Sequence, residues 1–165
     1  MNEQLIKDFP NYIKNIKISN INIDYSFING HWIAGFVNGD GSFTLGMQKA
    51  KFSRFEYAFA PRFIISQDLK DELLILKINK FFNNKDHFKI NKKNNLIELI
   101  FYKRLILEEN IIPFFNKYTF YGNKFLDFQD FSLGIQLLSK KIHFKLNGFN
   151  QIKNLYLGMN NYRKN

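Results

Sequence analysis

The 165-residue sequence predicts an α+β domain, and three observations predict it. Two pairs of segments alternate apolar and polar residues with the period of two that a half-buried strand requires. Each pair is preceded by a segment whose apolar residues recur at three and four, the spacing of an amphipathic helix. Further helical stretches close the chain. Helices that follow pairs of antiparallel strands cover one face of a sheet and leave the other solvated or bound to something.

Residues 1–28 alternate Asn and Lys with Ile and lack a long period; they read as an N-terminal extension holding a short helix over 9–18 and an extended arm. A single domain then occupies 29–165. Asn29 is placed to cap a helix that begins beside Gly30 and His31 and ends at Asp40-Gly41. Gly35 and Gly39 lie four apart, so they share one face of that helix and strip it of side chains. A second helix can approach such a face closely.

The stretch 42–49 reads as one strand, with Phe43, Leu45 and Met47 on a dry face and Ser42, Thr44, Gly46 and Gln48 on a wet one. A loop spans 50–54, and 55–67 alternates again: Phe59, Pro61, Phe63 and Ile65 against Ala58, Ala60, Arg62 and Ile64. Proline has no N–H for a ladder, so Pro61 puts this strand at a sheet edge or a bulge. Residues 68–82 form a helix whose first turn carries Asp68, Asp71 and Glu72. A second hairpin joins 88–90 to 96–102 across the polar turn 91–95. Helices follow at 104–118, interrupted near Pro113, and at 124–141 and 146–159.

Composition narrows the function. Hydrophobic content of 45% and aromatic content of 18% exclude a disordered chain. Net charge is +10, from 24 basic and 14 acidic residues, which favours a polyanion: nucleic acid first, an acidic membrane surface second. No apolar run reaches the ~18 residues of a membrane span, so no membrane partner is expected. Residues 1–10 lack the order of a secretory signal or a transit peptide. The absence of cysteine excludes disulfides and Cys-based zinc sites, and three scattered histidines argue against a His-rich metal cluster. The abundance of Phe, Ile, Asn and Lys reads as the codon usage of an AT-rich genome, for which organelles are the common source.

The run Trp32-Ile33-Ala34-Gly35-Phe36-Val37-Asn38-Gly39-Asp40-Gly41-Ser42-Phe43 resembles the LAGLIDADG motif of homing endonucleases. Asn38 departs from it, standing where the motif's first Asp is common. The order of elements along the chain is similar to that family too, and no second copy of the motif is present in the sequence: Leu133-Gly134-Ile135 lacks the Gly-Asp-Gly ending. The resemblance implies the LAGLIDADG homing-endonuclease fold, αββαββα with a saddle-shaped antiparallel sheet and additional C-terminal helices. It implies Asp40 as the metal-binding acid and the Gly39 carbonyl as a second ligand. Gln67 matches a polar position that places water near the metal. Lys124 matches a lysine that reaches the scissile phosphate, with Lys117 the alternative if the loop is aligned differently.

One bare helix face suits a twofold pair, because such a seam uses the same patch on both subunits. Ala34, Gly35, Asn38 and Gly39 are its candidate residues, and the expected assembly is a homodimer on double-stranded DNA. Two Asp40 carboxylates at that seam repel unless cations lie between them, and Mg²⁺ is the expected cofactor. A strand of about ten residues spans ~33 Å, or ~10 base pairs, so one domain reads a half-site. Base-reading candidates are Thr44, Gln48, Arg62, Lys89 and Asn91, and phosphate-contact candidates are Lys49, Lys51 and Arg54. The function expected is Mg²⁺-dependent cleavage of a long, near-palindromic intron-insertion site, leaving 3′ overhangs. A group I intron in a mitochondrion is the expected setting, with a chloroplast the alternative. Two other functions stay open on the same residues: an intron RNA maturase, and a DNA-binding module that does not cut. The second motif helix comes from another copy or from a longer two-motif protein.

Overall fold

The computed structural model describes residues 28–82, 88–91 and 94–160. The helix expected over 9–18 and the arm after it lie outside the described residues. Helix α1 (Gly30–Asp40) begins where Asn29 caps it, the side-chain oxygen accepting the Trp32 N–H at 3.0 Å. It runs directly into β1 (Gly41–Thr44), then β2 (Met47–Lys49), β3 (Tyr57–Phe59) and β4 (Arg62–Asp68). Asp68 accepts the Lys70 N–H at 3.0 Å and starts a 3-10 turn (Leu69–Asp71) that leads into α2 (Glu72–Phe81). Strands β5 (Phe88–Asn91) and β6 (Leu96–Phe101) form the second hairpin. Three helical pieces follow without a break: α3 (Arg104–Ile106), a π turn (Leu107–Ile111) and α4 (Ile112–Lys117). Helix α5 (Asn123–Ser139), a 3-10 turn (Ile142–Phe144) and α6 (Leu146–Gly158) complete the αββαββα order and its C-terminal helices.

The main sheet is antiparallel with strand order β1-β4-β6-β5, and β2 pairs with β3 as a separate ribbon. Both halves of the first hairpin keep one register, Gly41 opposite Ile65 and Met47 opposite Phe59. The continuous strands expected over 42–49 and 55–67 are therefore broken at matching points. Gly46 adopts φ +47, the left-handed region that favours glycine, and a Cβ there would lie 2.6 Å from the Ala60 carbonyl oxygen. Across from it the Ala60 N–H splits between the Leu45 and Gly46 carbonyls at 3.0 Å each, and Pro61 donates nothing. The sheet kinks there, and Pro61 sits at a break rather than on an outer edge. The interruption expected at Pro113 is instead a π turn just before it, which relaxes the helix where the proline ring would press on a preceding carbonyl.

Alternation decides the two faces. Phe43, Phe63, Ile65, Ile97, Leu99 and Phe101 are fully buried beneath the helices. Their neighbours Thr44, Arg62, Ile64, Ser66, Glu98 and Ile100 remain partly or fully accessible. Phe43 is the hub of the core, its ring 4.8 Å from Phe63, 5.3 Å from both Phe128 and Phe131, and 5.5 Å from Phe115 and Phe120. Each such pair adds about 0.5–1.5 kcal/mol beyond simple burial. The hub lies three residues after Asp40, so this aromatic cluster supports the end of α1.

Candidate active site

Helix α1 divides cleanly by face. Gly30, Ile33, Ala34 and Val37 are buried, while His31, Gly35, Asn38, Gly39 and Asp40 are exposed. A Cβ built on Gly35 or Gly39 meets nothing within 4 Å. The bare stripe expected from the spacing is thus present, and nothing among the described residues covers it. Ala34 does not belong to it: at 6% exposure it packs in the core with Ile33 and Val37, one helical turn away. The outward face therefore carries Gly35, Asn38 and Gly39 of the four residues expected there.

Asp40 is the last residue of α1, and Gly41 closes the helix by donating its N–H to the Val37 carbonyl. Only glycine fits at 41, because a Cβ would collide with the Val37 side chain and lie 2.8 Å from its carbonyl oxygen. The carbonyls of the final turn have no partner further along the helix, and they form the negative end of its dipole. An exposed carboxylate beside those carbonyls is an oxygen-donor set suited to a hard cation such as Mg²⁺. Among the described residues no group of three His, Asp or Glu side chains could hold a metal.

Lys124, the second residue of α5, reaches this end of α1 and donates from Nζ to the Gly41 carbonyl. Burial pushes its pKa below the ordinary lysine value, and the nearby charges of Asp127 and then Asp40 oppose that shift. Lys117, the alternative, ends α4 instead, with its Nζ 5.2 Å above the ring of Tyr118. Tyr118 packs on Gly30 and His31, at the opposite end of an eleven-residue helix ~16 Å long. Lys124, not Lys117, is the lysine brought to Asp40.

Gln67 lies near the end of β4, two residues beyond the Ile65 that pairs with Gly41. It is half-buried and shares the parity of Phe63 and Ile65, the side of the sheet that the helices cover.

Of the DNA-contact candidates, Thr44, Gln48 and Arg62 fall on the other face, and Lys49, Lys51 and Arg54 lie toward the tip of the first hairpin. Thr44 pairs with Arg62, and Gln48 with Ala58. Lys89 is opposite Glu98 and Asn91 opposite Leu96 in the ladder. Gln48, Lys49, Lys51, Arg54 and Arg62 are exposed. The Thr44 hydroxyl accepts the Gly46 N–H at 3.1 Å and so also shapes the kink. Arg54 donates to the Phe144 carbonyl at 2.9 Å, tying the tip to the turn before α6. A cleft of about 900 Å³ opens beside it at the Arg62 end of β4, lined by Arg54, Arg62, Tyr102, Arg104 and His143. Burial and the Arg104 charge hold the His143 pKa below its ordinary value.

Sequence reasoning missed two residues here. Asp127 is the buried charged side chain of the described core, 6% exposed, and it accepts the Asn160 N–H at 3.0 Å. Asn160 also donates from its side chain to the Phe43 carbonyl at 2.8 Å. The three-residue spacing from Lys124 to Asp127 on one helix was the available signal for the first; nothing in the sequence marks the second.

Comparison with known proteins agrees with this geometry. The profile of the LAGLIDADG endonuclease family matches residues 33–133. A probable intron-encoded endonuclease 2 of Neurospora crassa is 32% identical over 160 residues, which is 92% of this chain and 34% of that protein. An uncharacterized mitochondrial protein, RF1, of Saccharomyces cerevisiae is 31% identical over 72% of this chain and 22% of its own length. Among solved structures, the I-LtrWI LAGLIDADG homing endonuclease bound to target DNA superposes with a TM-score of 0.86 at 27% identity, covering 99% of this chain and 54% of that one. Meganuclease I-SmaMI bound to uncleaveable DNA gives 0.84 at 27% identity, covering 99% and 53%. The chain thus spans about a third of the first of these relatives and about half of each solved chain. With the motif helix, the antiparallel sheet and the Asp40–Lys124 corner all in place, this chain belongs to the LAGLIDADG endonuclease family.

Proposed function

We propose that this chain is one subunit of a site-specific DNA endonuclease that reads half of a long, near-palindromic intron-insertion site. It hydrolyses one phosphodiester per strand and leaves 3′ overhangs. The observation that carries this reading is the convergence of Asp40, the Gly39 carbonyl and Lys124 at one end of a helix whose outward face is bare. A second copy of α1 laid against that face brings a second Asp40 alongside the first. That supports a homodimer of the 29–165 domain, with 1–28 as an extension.

Asp40 and the Gly39 carbonyl would hold Mg²⁺, which when bound polarises the scissile phosphate and lowers the pKa of water. Lys124 carries positive charge to the same corner and stabilises the negative charge that develops on the phosphate oxygens. Gln67, entering from β4, orients water by hydrogen bonding. The open sheet face lies in the major groove, with Thr44, Gln48, Arg62, Lys89 and Asn91 at base edges and Lys49, Lys51 and Arg54 on phosphates. Net charge of +10 favours this partner. A group I intron of a mitochondrial genome is the proposed setting, supported by relatives named as intron-encoded endonucleases and by the yeast mitochondrial relative.

The test is cleavage of the uninterrupted host-gene duplex by purified protein with Mg²⁺, beside the Asp40→Asn variant. The wild type should cut both strands and the variant should bind without cutting. Binding without cleavage by the wild type would support a non-cleaving module instead, and intron splicing without cleavage would support a maturase.

A further inference from the structure

We propose that Asp127 is a positioning residue that fixes Lys124 against the Asp40 end of α1, an inference that rests on the nuclease reading of that corner. A buried carboxylate is costly unless hydrogen bonds and opposite charge compensate it, and the surroundings of Asp127 supply both. It lies three residues after Lys124 on α5, on the same face and one turn further along. The Asn160 N–H donates to its Oδ1 at 3.0 Å, and the lysine charge attracts it.

The link extends beyond the pair. Lys124 donates to the Gly41 carbonyl and Asn160 to the Phe43 carbonyl. Those two carbonyls are two residues apart on β1, so they point the same way. Among the described strands β1 lies at one edge of its sheet, and donors from two other elements reach its carbonyls at these points. Asn160 reaches both Asp127 and Phe43 from a left-handed backbone, φ 54, a conformation Asn tolerates better than most residues. Helix α5, Asn160 two residues after α6 and the strand leaving Asp40 form one frame with Asp127 at its centre. A lysine on a flexible stem needs such a frame to hold a single reach.

An Asp127 kept for packing alone would be replaceable by Asn, which accepts the same Asn160 N–H without the charge. The experiment is single-turnover cleavage of the insertion-site duplex in Mg²⁺ at saturating protein, with DNA affinity measured separately in Ca²⁺. Asp127→Asn should slow cleavage about 10- to 100-fold with affinity unchanged, and Asp127→Glu should recover part of the rate. A wild-type rate in Asp127→Asn, or a fall in rate matched by a fall in affinity, overturns the proposal. If the Asn variant fails to fold, Asp127→Glu decides: a reduced rate at unchanged affinity supports the role, and a full rate overturns it. A folding cycle with Lys124→Met separates this inference from the nuclease reading. Coupling of about fivefold or more in the folding equilibrium is expected, whether or not the wild type cuts DNA. Additive effects on folding would refute the Asp127–Lys124 link by themselves.

Discussion

Lys124 donates its ammonium hydrogen to the carbonyl of Gly41, the residue that follows Asp40, and so joins the start of α5 to the end of α1. Residues 83 positions apart meet at one corner, and that corner is where the motif helix places its exposed carboxylate.

Replacing Lys124 by Met should lower the cleavage rate about 100-fold or more, the scale of losing one charge-stabilising donor. Burial holds the Lys124 pKa below the ordinary 10.5, so between the two values the unfolded chain binds more protons. Wild-type stability therefore rises with pH through that window. Lys124→Met should lack that rise. Chemical denaturation from pH 7 to 10.5, beside a cleavage assay, checks both.

Gly35→Ala should stabilise the isolated chain by up to about 1 kcal/mol, because a helix-interior glycine is replaced where a Cβ meets open space. The same methyl group should weaken assembly if this face packs against another helix. Thermal unfolding and analytical ultracentrifugation of one preparation would show the two effects with opposite sign.

Acid should weaken the fold through His143. Its pKa is held below the ordinary 6.5 by burial and by Arg104, and Arg54 and Arg62 line the same cleft. Stability from the neutral ring is fully present above 6.5 and is lost as pH falls toward the folded value. His143→Gln should flatten that part of the stability profile, measured by denaturant midpoints from pH 8 to 5.

Phe43→Ala should destabilise the chain by about 3–5 kcal/mol, the cost of emptying a large aromatic site in a packed core. Five rings contact it, and it lies on the strand that Gly41 begins. Phe43→Leu should cost less and slow cleavage less. Denaturation and cleavage rates of the pair test whether the hub supports the corner.

Local rules made much of this legible in the sequence. Asn29 as cap, the glycine stripe and the alternation in β1 and β4 follow from spacing, and the structure bears each out. Features that depend on what lies across space were not legible. The kink at Gly46 and Pro61 arises because the two residues fall beside one another in a hairpin register that only folding reveals. Ala34 is small enough for a close seam, yet it shares the stripe of Ile33 and Val37 and turns inward. Asp127 reads as an ordinary surface acid of a helix until Asn160, 33 residues later, closes over it.

The central claim is that two α1 faces meet to pair their Asp40 carboxylates on a duplex. The most direct test is the mass of the protein–DNA complex in Ca²⁺, by light scattering, for wild type and Gly35→Leu, with cleavage in Mg²⁺ alongside. Two wild-type chains per duplex with both strands cut, and a folded Gly35→Leu variant that neither pairs nor cuts, is the expected result. A single chain per duplex that cuts both strands, or a Gly35→Leu variant that pairs and cuts as the wild type does, would contradict it.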